Sequence, residues 1–584
     1  MRRIDTFGRS LAIATALLVL GASGLDRLQG QADQTEVSHL TGFDGTINTT
    51  VADSTSAPLP VVQAPTGSPN VVYIVLDDTG FAEIGSYGAE IATPSIDALA
   101  AGGLRYNNFH TYAICSPTRA ALLTGRNAHA VGMNDLAGAD DGYPNSRGRM
   151  PPTAATIAQI LQANGYRTYM TGKWHLTPDM SDGGPRTHWP VQKGFDRFYG
   201  FLSGWTDQYH PNLIEDNTPL VVPNRPGYHF SEDIVDRSIR YLEDGQPSGR
   251  PFFLYLNFGA THGPIQVPRA YVDKYLTTYD KGWDAIREER FARQKQLGII
   301  PADTRLPPGN PADRAWADLS DDERTVYARH MAVYAGFMEH TDEQIGRLVR
   351  YLRASGQFDN TLVVLLSDNG AAPEAGPEGS FTSPYGGRLS TADALARIDD
   401  LGTDRARQIY PLAWAMAGVT PFREYKLSMF LGGVRDPMIV TWPDGIADRG
   451  VIRPQFVHTI DITPTVLEIT GIEAPPTHQG VPQMPIHGKS ILATMRDARA
   501  PNPRDTQVFE LRGMRAIYHQ GWRAVAKHVN GTPYDDDVWE LFEVTRDFAE
   551  AENLAASRPD KLRELQDLWW SEARRYGVLP LRAP

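Results

Sequence analysis

Cysteine is almost missing from this chain: Cys115 is the one example in 584 residues. A lone cysteine excludes an internal disulfide, so the protein is not a small stapled scaffold, and Cys115 is either an unpaired buried thiol or a chemically special residue. Long apolar runs are missing too. The stretch from Leu11 to Leu20 falls well short of the roughly 20 residues that cross a bilayer. Preceded by Arg2 and Arg3 and followed by Gly21, Ala22, Ser23 and Gly24, it reads as an export signal over residues 1–24. The expectation is an exported protein, periplasmic or secreted, without stable membrane insertion. Positive charge is in deficit as well, and a net charge of −13 disfavours nucleic acid or anionic membrane as a partner. No internal repeat or coiled-coil pattern is evident.

What is present is an ordinary globular composition, 41% hydrophobic and 21% charged. The length exceeds the roughly 250–300 residues at which single cores stop growing, which suggests one large domain and a smaller one. Residues 25–68 are rich in Thr, Ser, Pro, Asp and Gln without periodicity and read as an extended or disordered leader. Folded structure is expected over 69–502, with a second unit over 503–584. Four short β-branched and aromatic segments read as buried strands: Asn70–Leu76, Arg167–Thr171, Phe252–Phe258 and Thr361–Leu366. Helical patterns over Thr93–Ala101, Ala154–Asn164 and Arg329–Ser355 lie between them. This alternation predicts an α/β fold with a large mixed, mostly parallel sheet sandwiched by helices. Beyond Pro503, the runs Gln507–Leu511, Arg515–Tyr518 and Trp522–Lys527, then a helix over Lys561–Tyr576, predict a smaller C-terminal α+β domain with a short antiparallel sheet.

Ligands of open α/β sheets bind beyond the carboxyl ends of the strands. The residues there are chemically dense: Asp77 and Asp78, then Lys173 and His175, then His262, then Asp368 and Asn369. Three acids and an amide suit an oxygen-loving cation such as Ca2+ or Mg2+ and suit zinc badly. Each residue alone has a bland explanation as a turn or cap, but their recurrence at four successive strand ends does not.

The segment Cys115-Ser116-Pro117-Thr118-Arg119-Ala120-Ala121-Leu122-Leu123-Thr124-Gly125-Arg126 is the most specific in the chain. Ser116 is a plausible N-cap, Pro117 a first-turn proline and Gly125 a helix stop. Cys115 would then lie at the positive end of a helix with Arg119 one turn along, a setting expected to lower a thiol pKa and to favour anions.

This segment resembles the Cys-x-Pro-Ser/Thr/Ala-Arg … Thr-Gly-Arg signature of the type I sulfatases, of the alkaline phosphatase-like superfamily. The resemblance extends to Val75-Leu76-Asp77-Asp78, Thr171-Gly172-Lys173-Trp174-His175, Ser367-Asp368-Asn369-Gly370 and Pro421-Phe422-Arg423-Glu424-Tyr425-Lys426 leading to Gly432-Gly433-Val434-Arg435. Trp205–Asn217 and Tyr334–Leu348 are similar to the arylsulfatase branch. It implies a sulfuric ester hydrolase in which a formylglycine-generating enzyme oxidises Cys115 to formylglycine, whose hydrate attacks the sulfur of a small-molecule or glycan sulfate ester. It further implies one Ca2+ held by Asp77, Asp78, Asp368, Asn369 and an oxygen of the modified Cys115. Arg119, Lys173, His175, His262 and Lys426 would surround the sulfate and the diol, with His262 or Lys426 at the leaving group, His175 as a base, and Asp368 assisting deprotonation.

The chain departs from the family at Met429-Phe430-Leu431, apolar where relatives often carry a charge; this would alter the substrate mouth. Pro373–Ser390, rich in Gly, Pro and Ser, is a candidate loop over the site. Tyr112, Trp205, Tyr209, Tyr228 and Trp414 are candidate aromatic walls. The competing reading is a phosphonate or phosphate ester hydrolase of the same superfamily. A thiol phosphatase needs an arginine six residues after its cysteine, where Ala121 stands, and an anion-binding receptor would leave the acids and bases superfluous.

Overall fold

The computed structural model describes residues 45–57, 62–180, 184–221, 226–310 and 313–582. The expected export signal lies outside these residues, as do residues 25–44 and 58–61 of the expected leader. Residues 45–57 belong to a separate small unit, in which a turn is closed by Thr46 and Thr55.

Strand β1 (Asn70–Leu76) has no charged residue and is rich in β-branched side chains, the composition of a strand covered on both faces. It alternates as such a strand must. Val72, Ile74 and Leu76 enter one core with helices α1 (Pro94–Ala101), α4 (Phe230–Gly245) and α5 (Asp321–Ala354). Val71, Tyr73 and Val75 enter a second core with α2 (Cys115–Thr124) and α3 (Ile157–Ala163).

The other strands of this sheet are β2 (Leu104–Tyr106), β3 (Arg167–Lys173), β4 (Arg197–Phe201), β5 (Leu213–Glu215), β6 (Thr218–Leu220), β7 (Phe252–Asn257), β8 (Thr361–Ser367), β9 (Met438–Thr441) and β10 (Val451–Arg453). Their order is β10-β2-β9-β8-β1-β7-β3-β4-β5-β6. The central strands β8, β1, β7, β3 and β4 are mutually parallel, and antiparallel pairs appear outside them. Parallel pairing matters because it delivers the carboxyl ends of β8, β1, β7 and β3 to one edge, side by side.

Four more strands, β11 (Thr506–Leu511), β12 (Met514–His519), β13 (Trp522–Ala526) and β14 (Trp539–Glu543), form an antiparallel sheet. Helix α6 (Pro559–Arg575) covers one face through Leu565 and Trp569. The other face packs Phe509, Leu511, Val525 and Phe542 onto Ile114, Cys115, Met429 and Phe430. Thus Met429 and Phe430 do not border a substrate mouth, as expected from sequence; they are buried where the small sheet docks on the large one.

Two helices begin elsewhere than the pattern suggested. α3 starts at Ile157 rather than Ala154 because Thr156 and Gln159 form a capping box. α5 starts at Asp321 rather than Arg329, where Ser320 and Glu323 form another. Among the described residues no helix is long and apolar enough to cross a membrane.

Candidate functional site

Asp77 and Asp78 follow β1 directly, and both are buried. Asp78 has φ 61°, a left-handed conformation that aspartate tolerates better than bulky residues. The turn points the two carboxylates to different partners. Lys173 Nζ, at the end of β3, lies 2.7 Å from Asp77 Oδ2. Lys426 Nζ lies 2.8 Å from Asp78 Oδ1 and His262 Nε2 lies 3.6 Å from Asp78 Oδ2.

From the next strand, Asp368 and Asn369 complete the acidic edge. Arg119 of α2 donates from Nε to Asp368 Oδ2 at 2.8 Å, and from Nη1 to Asn257 Oδ1 at 3.0 Å. Asn369 Nδ2 donates to Asp78 Oδ1 at 2.7 Å. Cys115, the first residue of α2, lies 3.1 Å through Sγ from His175 Nδ1. All ten residues singled out in the sequence therefore fall into one buried network: Asp77, Asp78, Cys115, Arg119, Lys173, His175, His262, Asp368, Asn369 and Lys426.

The donor set fits a cation. Carboxylate oxygens of Asp77, Asp78 and Asp368 all lie within 4.8 Å of one another. Asp77 Oδ1 and Asn369 Oδ1 are buried without a hydrogen-bond partner. Buried oxygens are rarely left so, and an all-oxygen cluster of this charge suits a hard divalent ion.

Electrostatics follow from burial and neighbours. Burial, with the negative charges of Asp368 and Asp78, pushes Asp77 up, to about 8 without a cation, against the pull of Lys173. Burial works on Asp78 in the same direction, but Lys426 and His262 overcome it and hold that carboxyl well below its usual range. Burial drives His262 down to about 4 and holds His175 well below the ordinary imidazole range, with Lys173 and Arg119 adding to the effect on His175. Lys426 is held well above the usual lysine range, because Asp78 and Glu374 outweigh its burial.

Two expectations about α2 need correction. Ile114, not Ser116, occupies the N-cap position. The Ser116 hydroxyl instead donates to the His175 carbonyl at 2.8 Å and accepts from Ala137 N, fixing the two segments that carry Cys115 and His175. Nor is the thiol acidic: burial pushes Cys115 up to about 11, outweighing Lys173 and Lys426.

Sequence reasoning missed Glu374 and Tyr385, both on the loop after Asn369. Glu374 Oε1 lies 2.5 Å from Lys426 Nζ. Tyr385 OH lies 3.3 Å from His262 Nε2, with the Trp205 ring 6.5 Å from the Tyr385 ring. No strand end or motif flags either residue. Of the candidate aromatic walls, Trp205 meets this loop, whereas Trp414 packs in the core against Trp283, Trp316 and Tyr279, and Tyr112 packs against His458.

The chain is similar to known proteins over most of its length. The sulfatase family pattern matches residues 69–472, and that of the N-sulphoglucosamine sulphohydrolase C-terminal region matches residues 425–569. An uncharacterized sulfatase of Schizosaccharomyces pombe is 34% identical over 550 residues, covering 88% of this chain and 95% of the relative. An arylsulfatase of Klebsiella aerogenes is 29% identical over 442 residues, covering 73% and 91%. A putative sulfatase from Bacteroides fragilis has a similar fold, with a TM-score of 0.61 at 19% identity over 89% of this chain and 98% of that one. The chain belongs to the sulfatase family, and is a sulfuric ester hydrolase.

Proposed function

We propose that the protein cleaves a sulfate monoester of a small molecule or glycan to an alcohol or phenol plus sulfate, using formylglycine made from Cys115 and one Ca2+ held by Asp77, Asp78, Asp368, Asn369 and an oxygen of the modified residue. The observation that carries this reading is the setting of the lone cysteine. It heads α2 beside His175 and among the cations Arg119, Lys173 and Lys426, yet its thiol stays protonated. A protonated thiol is a poor nucleophile. Oxidation to an aldehyde by a formylglycine-generating enzyme, followed by hydration, would put an oxygen nucleophile at the same point.

Bound Ca2+ would supply charge neutralisation and favour deprotonation of the attacking hydroxyl. Lys173, Arg119 and Lys426 would neutralise the sulfate oxygens as charge builds up. Lys426, at the edge of this cradle, and His262 would also meet the leaving group. Lys426 carries a proton at neutral pH, whereas burial keeps His262 neutral in the free site. Neutral His175 would take the proton of the second hydroxyl, which expels sulfate and restores the aldehyde. An ordinary serine ester has no such internal exit. The apolar segment near the N-terminus supports action outside the cytoplasm, in the periplasm or after secretion.

The test is turnover of 4-nitrophenyl sulfate and 4-nitrophenyl phosphate by protein matured with the modifying enzyme. Calcium-dependent sulfate hydrolysis that disappears in Cys115→Ala is expected. Preferred hydrolysis of the phosphate would instead support the phosphonate or phosphate ester reading.

A further inference from the structure

Glu374 is a charged group at the site that the chemistry above leaves without a task of its own. One oxygen, Oε1, pairs with Lys426, which Asp78 already holds on its other side. The second oxygen, Oε2, is buried without a hydrogen-bond partner, although the side chain as a whole keeps 14% of its surface. A carboxylate oxygen in that state is costly unless a donor arrives, and nothing in the local backbone supplies one.

Its position tells which donor. Single ligand atoms of Glu374, Asp78 and His262 all lie within 4.8 Å of one another. Glu374 is thus beside Lys426 and His262, the two groups that the proposed reading sets at the leaving oxygen. The same loop brings Tyr385 over His262, and its half-exposed ring stands opposite Trp205. Aromatic faces beside a carboxylate acceptor suit a ring that shows C–H edges to one side and a hydroxyl to the other.

We propose that Glu374 is a specificity residue that accepts a hydrogen bond from a hydroxyl on the carbon next to the sulfated carbon of the substrate. The substrate class is then a vicinal hydroxy-sulfate, of carbohydrate or catechol type, rather than a sulfate with a bare apolar leaving group. This rests on the sulfatase reading, with its leaving group on the Lys426 and His262 side. Desolvation of a built acceptor explains why such a site rejects a substrate that lacks the donor.

The experiment compares kcat/KM for catechol monosulfate, its 2-methoxyphenyl sulfate analogue and phenyl sulfate, on matured wild type, Glu374→Ala and Glu374→Asp. Wild type is expected to favour catechol monosulfate over both others by about tenfold or more. Glu374→Ala should bring these ratios near one, whatever common loss a disturbed Lys426 imposes on all three esters, and Glu374→Asp should restore part of the preference. Ratios near one in wild type, or ratios unmoved in Glu374→Ala, overturn the assignment while leaving sulfatase activity intact. Matured protein with formylglycine verified by mass that hydrolyses 4-nitrophenyl phosphate but none of the three sulfates overturns the sulfate-ester reading of the site and the assignment with it.

Discussion

Replacing Glu550 with Gln should unfold the link between the small sheet and the edge that carries the candidate site, without touching any of the ten residues named there. Glu550 is fully buried and forms a close ion pair with Arg523 of β13, which also donates to the Met429 carbonyl. Its other oxygen, Oε2, accepts the Leu431 N–H at 3.0 Å. Both contacts hold the segment that runs on from Lys426. Gln keeps an acceptor for Leu431 but strands the Arg523 guanidinium, and breaking a buried pair from one side costs about 3–5 kcal/mol. Glu550→Ala also orphans the Leu431 N–H, adding roughly 1–3 kcal/mol. Replacing both partners, as Glu550→Leu with Arg523→Met, removes the stranded charge and should recover much of either single loss. Calorimetry on wild type, Glu550→Leu, Arg523→Met and the double closes the cycle. The reasoning fails if the single losses add in the double variant, which would mean that the two side chains are not energetically coupled.

Other outcomes follow from the same structure. Arg119→Met leaves Asp368 and Asp77 short of a fully buried counter-charge and should cost about 3–5 kcal/mol in chelator, with a smaller loss in excess Ca2+. Equal loss in both media would argue that no cation enters the cluster. In wild type, chelation should lower the thermal midpoint and Ca2+ should restore it in a saturable way, read by differential scanning fluorimetry. His330 is buried, and burial alone pushes its imidazole down to about 3. The unfolded chain takes up that proton first, so stability falls as pH drops below the unfolded value near 6.5 and levels off near 3, by about 1.4 kcal/mol per pH unit. His330→Leu should flatten that part of the stability curve in urea titrations, and an unchanged slope would refute it.

The central strands were legible because their composition allows little else: an uncharged, β-branched run such as Asn70–Leu76 must be covered on both faces. Parallel pairing of these strands made seven candidates legible, because Asp77, Asp78, Lys173, His175, His262, Asp368 and Asn369 all fall at or just past expected strand ends, whereas Cys115 and Arg119 stood out through the helix-opening segment and Lys426 only through the family resemblance. Helix starts were less legible. The charged stretch Asp321-Asp322-Glu323-Arg324 hides the first turns of α5 from an apolar-period reading, although Ser320 and Glu323 announce the cap. β14 escaped notice because Trp-Glu-Leu-Phe-Glu is short and sits between acidic turns. The acidity of Cys115 was misjudged because a helix N-terminus is visible in sequence and depth of burial is not. Glu374 and Tyr385 lie on a loop whose path no periodicity specifies, so their approach to Lys426 and His262 emerges from the fold alone.

The most direct test of the account is the mass of the tryptic fragment containing Cys115, from protein made with a formylglycine-generating enzyme and shown to hydrolyse a sulfate ester. The account predicts that the thiol sulfur has been replaced by an aldehyde oxygen in the active material. A free thiol at residue 115 in protein that hydrolyses sulfate esters would contradict it.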